Sequence, residues 1–325
     1  MSQPDCVSDY IAECALEALL LEVAATPKPG LVDRRNNGAH RDMNFYTFIQ
    51  SALSLRPHLA LMATAGQQSA KLSPPELFNQ VRSLGLKAEK AMFAATANVN
   101  THKGALFALG LLCAAAGRAC CHRANKSCWQ PARLGQFVAQ MSQGLCRREL
   151  ASLNELVAPQ ASAAQASTVT PGAGTVIPAE SGLVKISGSD QLGQRLTHGQ
   201  RMYLQYGACG ARGQAESGFA LVVDKYWPYL RRLKKQQLDQ DEILVRTLLV
   251  ICADLDDTNI LNRVGAAKAA WAKEACAALH ERYTHQAACQ LDDQFIKERI
   301  SPGGAADLLS VTIFLDKLAA SEKYF

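Results

Sequence analysis

The 325 residues carry 34 Lys and Arg against 29 Asp and Glu, a net charge of +5, and 48% are hydrophobic while only 6% are aromatic. Such a chain can bury a large core as one big domain or two ordinary ones, and its abundant Ala and Leu favour helices, where unbranched side chains lose little rotamer freedom. The mild charge is dispersed apart from Arg231, Arg232, Lys234 and Lys235, which read better as a solvated helix end than as a nucleic-acid patch, and it leaves polyanionic small molecules as partners.

From Val7 to Val23 apolar residues recur every three or four positions, which predicts a first helix. Acidic residues from Asp5 to Glu22 interrupt it and no basic segment precedes it, so it reads as neither signal peptide nor membrane span. Pro27, Pro29 and Gly30 end it. Asn44 or Thr47 caps a second helix, kinked at Pro57, and Ser73-Pro74-Pro75-Glu76 opens a third. Further helical patterns cover residues 103–120, 133–150, 193–206, 215–235, 241–252, 262–282 and 305–320. No series of alternating strands supports a Rossmann sheet or a barrel.

Eleven cysteines, an odd number, lie scattered at helix-interior positions such as Cys14, Cys113, Cys252 and Cys276, as expected of reduced thiols in a cytoplasmic protein. Cys120, Cys121, His122 and Cys128 lack the spacing of a tetrahedral zinc set. Residues 155–190, rich in Ala, Ser, Thr, Gly and Pro, read as a flexible insertion. The expected architecture is all-α: one large globular catalytic domain over 1–325, with ten or more helices, that insertion, and Gly-rich active-site loops.

Five polar segments stand between the helices. Thr26 to Met43, TPKPGLVDRRNNGAHRDM, packs Lys28, Asp33, Asn37, His40, Arg41 and Asp42 into one loop punctuated by Pro and Gly. It could be a hydrophilic connector, but loops of this length in compact domains are disproportionately functional. In Asn98 to Gly104, NVNTHKG, Thr101 can cap the helix that follows, while Lys103 and the helix N–H groups can meet an anion; His102 stands beside them. Tyr206 to Glu216 sets three glycines around Arg212 before a helix, a possible phosphate seat. Asp254 to Asn259 gathers three carboxylates that suit magnesium or, for Asp257 and Asn259, a helix cap. Ile300 to Asp307, with Ser301, Gly303 and Gly304, starts a helix whose dipole Asp307 would oppose.

Taken in order, PKPGLVDRRNNGAHRDM, NTHKG, GARGQAESGF, DTN followed by Arg263, and SPGGAADLL resemble the triphosphoribosyl-dephospho-coenzyme A synthase family, which serves citrate lyase and malonate decarboxylase. The resemblance implies a helical, Mg2+-dependent enzyme that transfers the 5-triphosphoribosyl group of ATP to 3'-dephospho-CoA and releases adenine. A separate holo-acyl-carrier transferase would receive the product, with no role for nucleic acid or membrane. Lys28, Lys103, Arg212 and Arg263 would then hold phosphate oxygens, with Gly30, Asn37, Arg41, Gly104, Gly210, Gly213, Ser301, Gly303 and Gly304 contributing to the binding surface. Asp256, Asp257 and Asn259 would hold the metal, and Asp33, His40, Asp42, His102 and Glu216 are the acid and base candidates. One departure is Val264, which stands after Arg263 where the family pattern has the first of two glycines. An ADP-ribosyl hydrolase-like magnesium enzyme and a non-catalytic coenzyme-binding module are the alternatives.

Overall fold

The computed structural model describes residues 6–120, 128–151, 196 and 198–321, and every regular element among them is helical. The chain divides into two compact units: residues 1–143 with 210–325, and residues 144–209.

In the larger unit, α1 (Cys6–Ala24), α2 (Phe45–Gln67), α3 (Pro74–Ala95), α4 (Lys103–Ala119) and α5 (Pro131–Ser142) form the first half. The second half runs through α7 (Gly210–Glu216), a π-helical turn at Val222–Tyr226, α8 (Trp227–Lys234), α9 (Gln240–Asp254), α10 (Thr258–Glu281), α11 (His285–Glu298) and α12 (Gly303–Ser321). Helix α4 lies at the centre, buried on all sides from Ala105 to Gly117 except at Phe107, and its sequence of Ala, Leu and Gly suits that position. Small residues let α2 and α4 cross closely: a Cβ on Gly66 would overlap the Ala114 carbonyl, and one on Gly117 the Ala63 carbonyl. Helix α12 packs against α1, α4 and α9, which brings the C-terminal SPGGAADLL segment to the start of α4. In the smaller unit a π-helical turn at Arg147–Ala151 and α6 (His198–Tyr206) pack through Leu150 and Leu204.

The cap chemistry follows the sequence closely. Asn44 and Thr47 form a reciprocal capping box at α2, which runs on through Pro57. Ser73 donates both its N–H and its hydroxyl to Glu76. Three expected helices differ. The one over 133–150 stops at Ser142, with Gly144 turning the chain at φ 70°. The one over 215–235 is broken between Glu216 and Val222, where Phe219 adopts a left-handed φ of 56°. The one over 262–282 starts earlier, at Thr258, and is interrupted at Gly265 (φ 79°, ψ 176°). Helix α11 was not expected from the sequence, because its buried face holds only Ala288, Leu291, Asp292 and Phe295. The proposed insertion at 155–190 lies outside the described residues, as do Cys121 and His122. No helix among the described residues is long and apolar enough to cross a membrane. Cys14, Cys113, Cys252 and Cys276 are buried thiols.

Candidate active site

The leading loop is folded around two carboxylates. Asp33 Oδ2 accepts the Lys28 N–H at 2.8 Å, and its Oδ1 accepts the N–H groups of Arg35 (2.7 Å) and Asn36 (3.1 Å). Asp292 on α11 accepts the Gly30 N–H at 2.9 Å and the Asn36 amide at 2.7 Å, and pairs with Arg35. Gly30 has φ 70°, and a Cβ there would overlap the Ile300 carbonyl. Asp33 and Gly30 therefore shape the loop, and neither lines the cleft that the loop helps to enclose. Asn37 uses its carbonyl to hold the His40 N–H at 3.2 Å, and its side chain, like that of Arg41, is exposed away from the cleft.

That cleft, about 300 Å3, draws residues from four of the five segments. His40 Nε2 lies 2.8 Å from the Ser301 hydroxyl, and its Nδ1 lies 3.2 Å from an Arg263 nitrogen and 3.6 Å from Asp42. A guanidinium can only donate, so Nδ1 acts as acceptor, and the ring hydrogen on Nε2 is given to Ser301. Burial lowers the His40 pKa, Arg263 lowers it further, and Asp42 opposes both. Arg263 also donates to the Ala39 carbonyl at 3.3 Å, which ties α10 to the leading loop.

The second segment forms another wall. His102 is buried, its Nδ1 2.7 Å from the Ser51 hydroxyl and its ring edge-on to Phe48 with centroids 4.9 Å apart. Desolvation, with Lys28 nearby, lowers its pKa to about 3. Thr101 does not cap α4: its hydroxyl donates to Ser51 at 2.7 Å. The helix start is satisfied instead by Asn100, which accepts the Lys103 N–H at 3.3 Å, and by Asp307, which accepts from Ala105. Lys103 is exposed at the cleft and pairs with Glu89 at 2.6 Å. Lys28 is only 1% exposed; its ammonium pairs with Glu22 and also donates to the Glu22 carbonyl at 2.6 Å, which leaves one donor for the cleft.

Asp307 lies deeper along α12 than the expected first-turn position and serves α4 rather than its own helix. A Cβ on Gly104 would overlap its carboxylate, so Gly104 makes room for Asp307. Burial raises the Asp307 carboxyl well above the usual range, and the neighbouring Asp257 and Glu22 add to the effect.

The proposed metal residues do not converge. Asp256 pairs with Lys273 at 2.8 Å, with its side chain 78% exposed. Asp257 is buried, and both its oxygens accept backbone N–H groups, from Asn259 at 2.8 Å and Ala305 at 3.0 Å. It caps α10 and at the same time holds the start of α12, where Gly304 packs against it. Only Asn259, beside Gly303, lines the cleft. Among the described residues no three His, Cys, Asp or Glu side chains gather as a metal-holding group. This set does not fit a magnesium centre, because one carboxylate is saturated by amides and another faces away.

The third segment stands apart from the cleft. Gly210, Arg212, Gly213 and Glu216 lie in α7 and none lines it. Gly210 is in contact distance of Thr258 at the start of α10, and the Gly213 carbonyl accepts the Ser217 N–H at 3.0 Å. Conversely, sequence reasoning passed over Glu22 and Ser51 as site residues, and read Asp307 only as a partner of its own helix dipole. Glu22 continues the buried face Ile11, Ala15, Ala18 of α1, so a carboxylate in phase with a core stripe was the available signal. Ser51 carried none, since a single Ser on a helix face is unremarkable.

Comparison with known proteins accords with the ordered segments. A protein of Pectobacterium atrosepticum named "2-(5''-triphosphoribosyl)-3'-dephosphocoenzyme-A synthase" is 38% identical over 299 residues, covering 92% of this chain and 85% of its own. A Citrobacter koseri protein named "Probable 2-(5''-triphosphoribosyl)-3'-dephosphocoenzyme-A synthase" is 36% identical over 322 residues, covering 97% of this chain and 93% of its own. No solved structure matches the chain. With residues 8–324 also matching the family as a whole, the chain belongs to the ATP:dephospho-CoA triphosphoribosyl transferase family.

Proposed function

We propose that this chain transfers the triphosphoribosyl group of ATP to 3'-dephospho-CoA in the cytoplasm. The product would be the precursor of the acyl-carrier prosthetic group of citrate lyase or malonate decarboxylase, and would pass to a holo-acyl-carrier transferase. Alongside family membership, the observation that carries this reading is the cleft itself, where His40, Ser301, Arg263, Lys103 and Asp307 meet from four segments.

In the reaction the 2' hydroxyl oxygen of dephospho-CoA bonds to the anomeric carbon of ATP as its bond to adenine breaks. The hydroxyl proton passes to a base, and adenine, leaving with the bonding electrons, takes up a proton from an acid. By analogy with glycoside chemistry the anomeric carbon passes through an oxocarbenium-like state. His40 suits the base: its lowered pKa keeps it neutral, Ser301 orients its Nε2 hydrogen, and Nδ1 offers the lone pair. Arg263 engaging a phosphate would free Nδ1, and Asp42 would steady the imidazolium that forms. Asp307 suits the acid, because burial beside Asp257 and Glu22 raises its pKa and so favours its protonated form. Arg263 and Lys103, both exposed at the cleft, would hold phosphate oxygens.

Magnesium is proposed as the companion ion of the ATP triphosphate; no step above runs through it. The test is incubation with ATP, magnesium and dephospho-CoA, with mass detection of adenine and the condensed product. Adenine release that requires dephospho-CoA supports the reading. Binding without adenine release, or ribosyl hydrolysis without condensation, overturns it.

A further inference from the structure

His102 has one ring nitrogen committed and one left over. Thr101 donates to the Ser51 hydroxyl at 2.7 Å, and that hydroxyl lies 2.7 Å from His102 Nδ1. The Ser51 hydroxyl already accepts from Thr101, and among the described residues Nδ1 is the one acceptor for its own proton, so Nδ1 accepts and the ring hydrogen sits on Nε2. Nε2 is buried and has no partner among the described residues. A buried N–H is nearly always met by an acceptor, and His102 lines the cleft, so the missing acceptor is one that a ligand supplies.

The surroundings restrict that ligand group. Phe48 stands perpendicular to the His102 ring and packs on a cluster containing Val32 and Met43, and all three line the cleft. A triphosphate or a ribose has no flat apolar face to set against such residues, whereas a purine has two such faces and carries ring nitrogens that accept hydrogen bonds. We propose that His102 is a neutral N–H donor to a ring nitrogen of the adenine of ATP, and that Ser51 and Thr101 are positioning residues which hold it in the donating tautomer. The proposal rests on the reading of the chain as an ATP-using transferase, and it gives His102 a role other than proton exchange. A desolvated ring stays neutral, so it gives a hydrogen bond without giving up its proton. The bond strengthens as electrons flow onto the departing base, and so favours bond breaking over mere binding.

The experiment is NMR of the histidine rings in the full-length chain labelled with 15N-histidine, with and without ATP. It is paired with calorimetric ATP affinity in the absence of dephospho-CoA. The expected result is a neutral Nε2–H tautomer for His102 whose Nε2 resonance moves when ATP binds. Ser51→Ala should mix the tautomers, while Ser51→Thr keeps the single one. His102→Phe should weaken ATP about fivefold, the worth of one neutral hydrogen bond, with His102→Gln recovering part of the loss. Replacing ATP by its 3-deaza or 7-deaza analogue should remove the difference between wild type and His102→Phe for whichever nitrogen is bonded. An Nδ1–H tautomer, an imidazolium at neutral pH, or bound ATP that leaves the Nε2 resonance unmoved overturns the proposal while leaving the transferase reading intact. A folded wild-type chain that binds no ATP overturns both.

Discussion

His40 and Ser301 are 261 residues apart in the chain, and their side chains meet at 2.8 Å. The contact joins the leading loop to the start of α12, and it is the point at which the two ends of the family pattern become one site. Around the same ring, Arg263 and Asp42 act in opposite senses on its protonation.

This opposition gives a pH prediction. If neutral His40 is the base, kcat/KM rises with pH through its lowered pKa, so the acid limb falls below the ordinary imidazole value of about 6.5. Removing the cation in Arg263→Met should move that limb to higher pH; removing the carboxylate in Asp42→Asn should move it to lower pH. Ser301→Ala should lower kcat roughly tenfold, less than the roughly hundredfold lower end of what a positioned base contributes, because His40 itself stays in place. Profiles of kcat and of kcat/KM against pH for the three variants check all of this. Shifts in the same direction for Arg263→Met and Asp42→Asn would remove His40 from the role of base.

The two neighbouring aspartates should separate by substitution. Asp257→Ala leaves buried N–H groups at the starts of α10 and α12 without their acceptor, which costs about 3 kcal/mol of stability. Asp256→Ala loses only an exposed pair with Lys273 and should change both stability and the magnesium dependence of activity very little. Denaturant unfolding and magnesium titrations of activity measure the two effects. A large change in magnesium requirement with Asp256→Ala would restore that residue to the metal site.

These aspartates mark where the sequence could be read and where it could not. Helix positions came through because the periodicity of α1, the Asn44 and Ser73 caps and the apolar run of α4 are local signals. The convergence of the leading loop with NTHKG, Arg263 and SPGG was legible only as a resemblance in order, since no local rule brings His40 to Ser301. Residue roles inside the segments were harder still. Asp33, Asp257, Gly30 and Gly104 have functional-looking chemistry, yet each spends it on backbone or on space for a neighbour. The partners of Asp33, namely Lys28, Arg35 and Asn36, are local, whereas Ala305, Ile300 and Asp307, which meet Asp257, Gly30 and Gly104, are remote in sequence. Glu22 and Ser51 were passed over for the same reason in reverse: helix-face residues acquire meaning only from what packs against them.

Gly104 provides a test of that spatial role. A methyl group there would occupy the position of the Asp307 carboxylate, so Gly104→Ala should turn the acid out of place while improving the intrinsic helix propensity of α4. The expected outcome is a folded protein with kcat reduced roughly a hundredfold, within the range for loss of a positioned acid, and with ATP affinity changed far less. Single-turnover adenine release beside equilibrium ATP binding separates the two. Unchanged turnover would remove Asp307 from the chemistry.

The burial of His102 also makes a prediction about stability. Its pKa is about 3 in the fold against about 6.5 in an unfolded chain. Between those values the unfolded state binds the proton and the native state does not, so the contribution is fully present above pH 6.5. As pH falls through the window it is lost at about 1.4 kcal/mol per pH unit. Glu22, Asp257 and Asp307 have raised pKa values and act in the other sense: their contribution is present below the ordinary carboxylate range and is lost as pH rises through their folded values. Because His102→Gln keeps those carboxyl groups, subtracting its unfolding free energy from that of wild type at each pH isolates the histidine. From pH 6.5 down to 4.5 the variant should gain on wild type by about 1.4 kcal/mol per unit. A difference that stays flat across this range would mean that His102 is already protonated in the fold, and the ring would then carry two donors and a charge into the cleft instead of one neutral N–H.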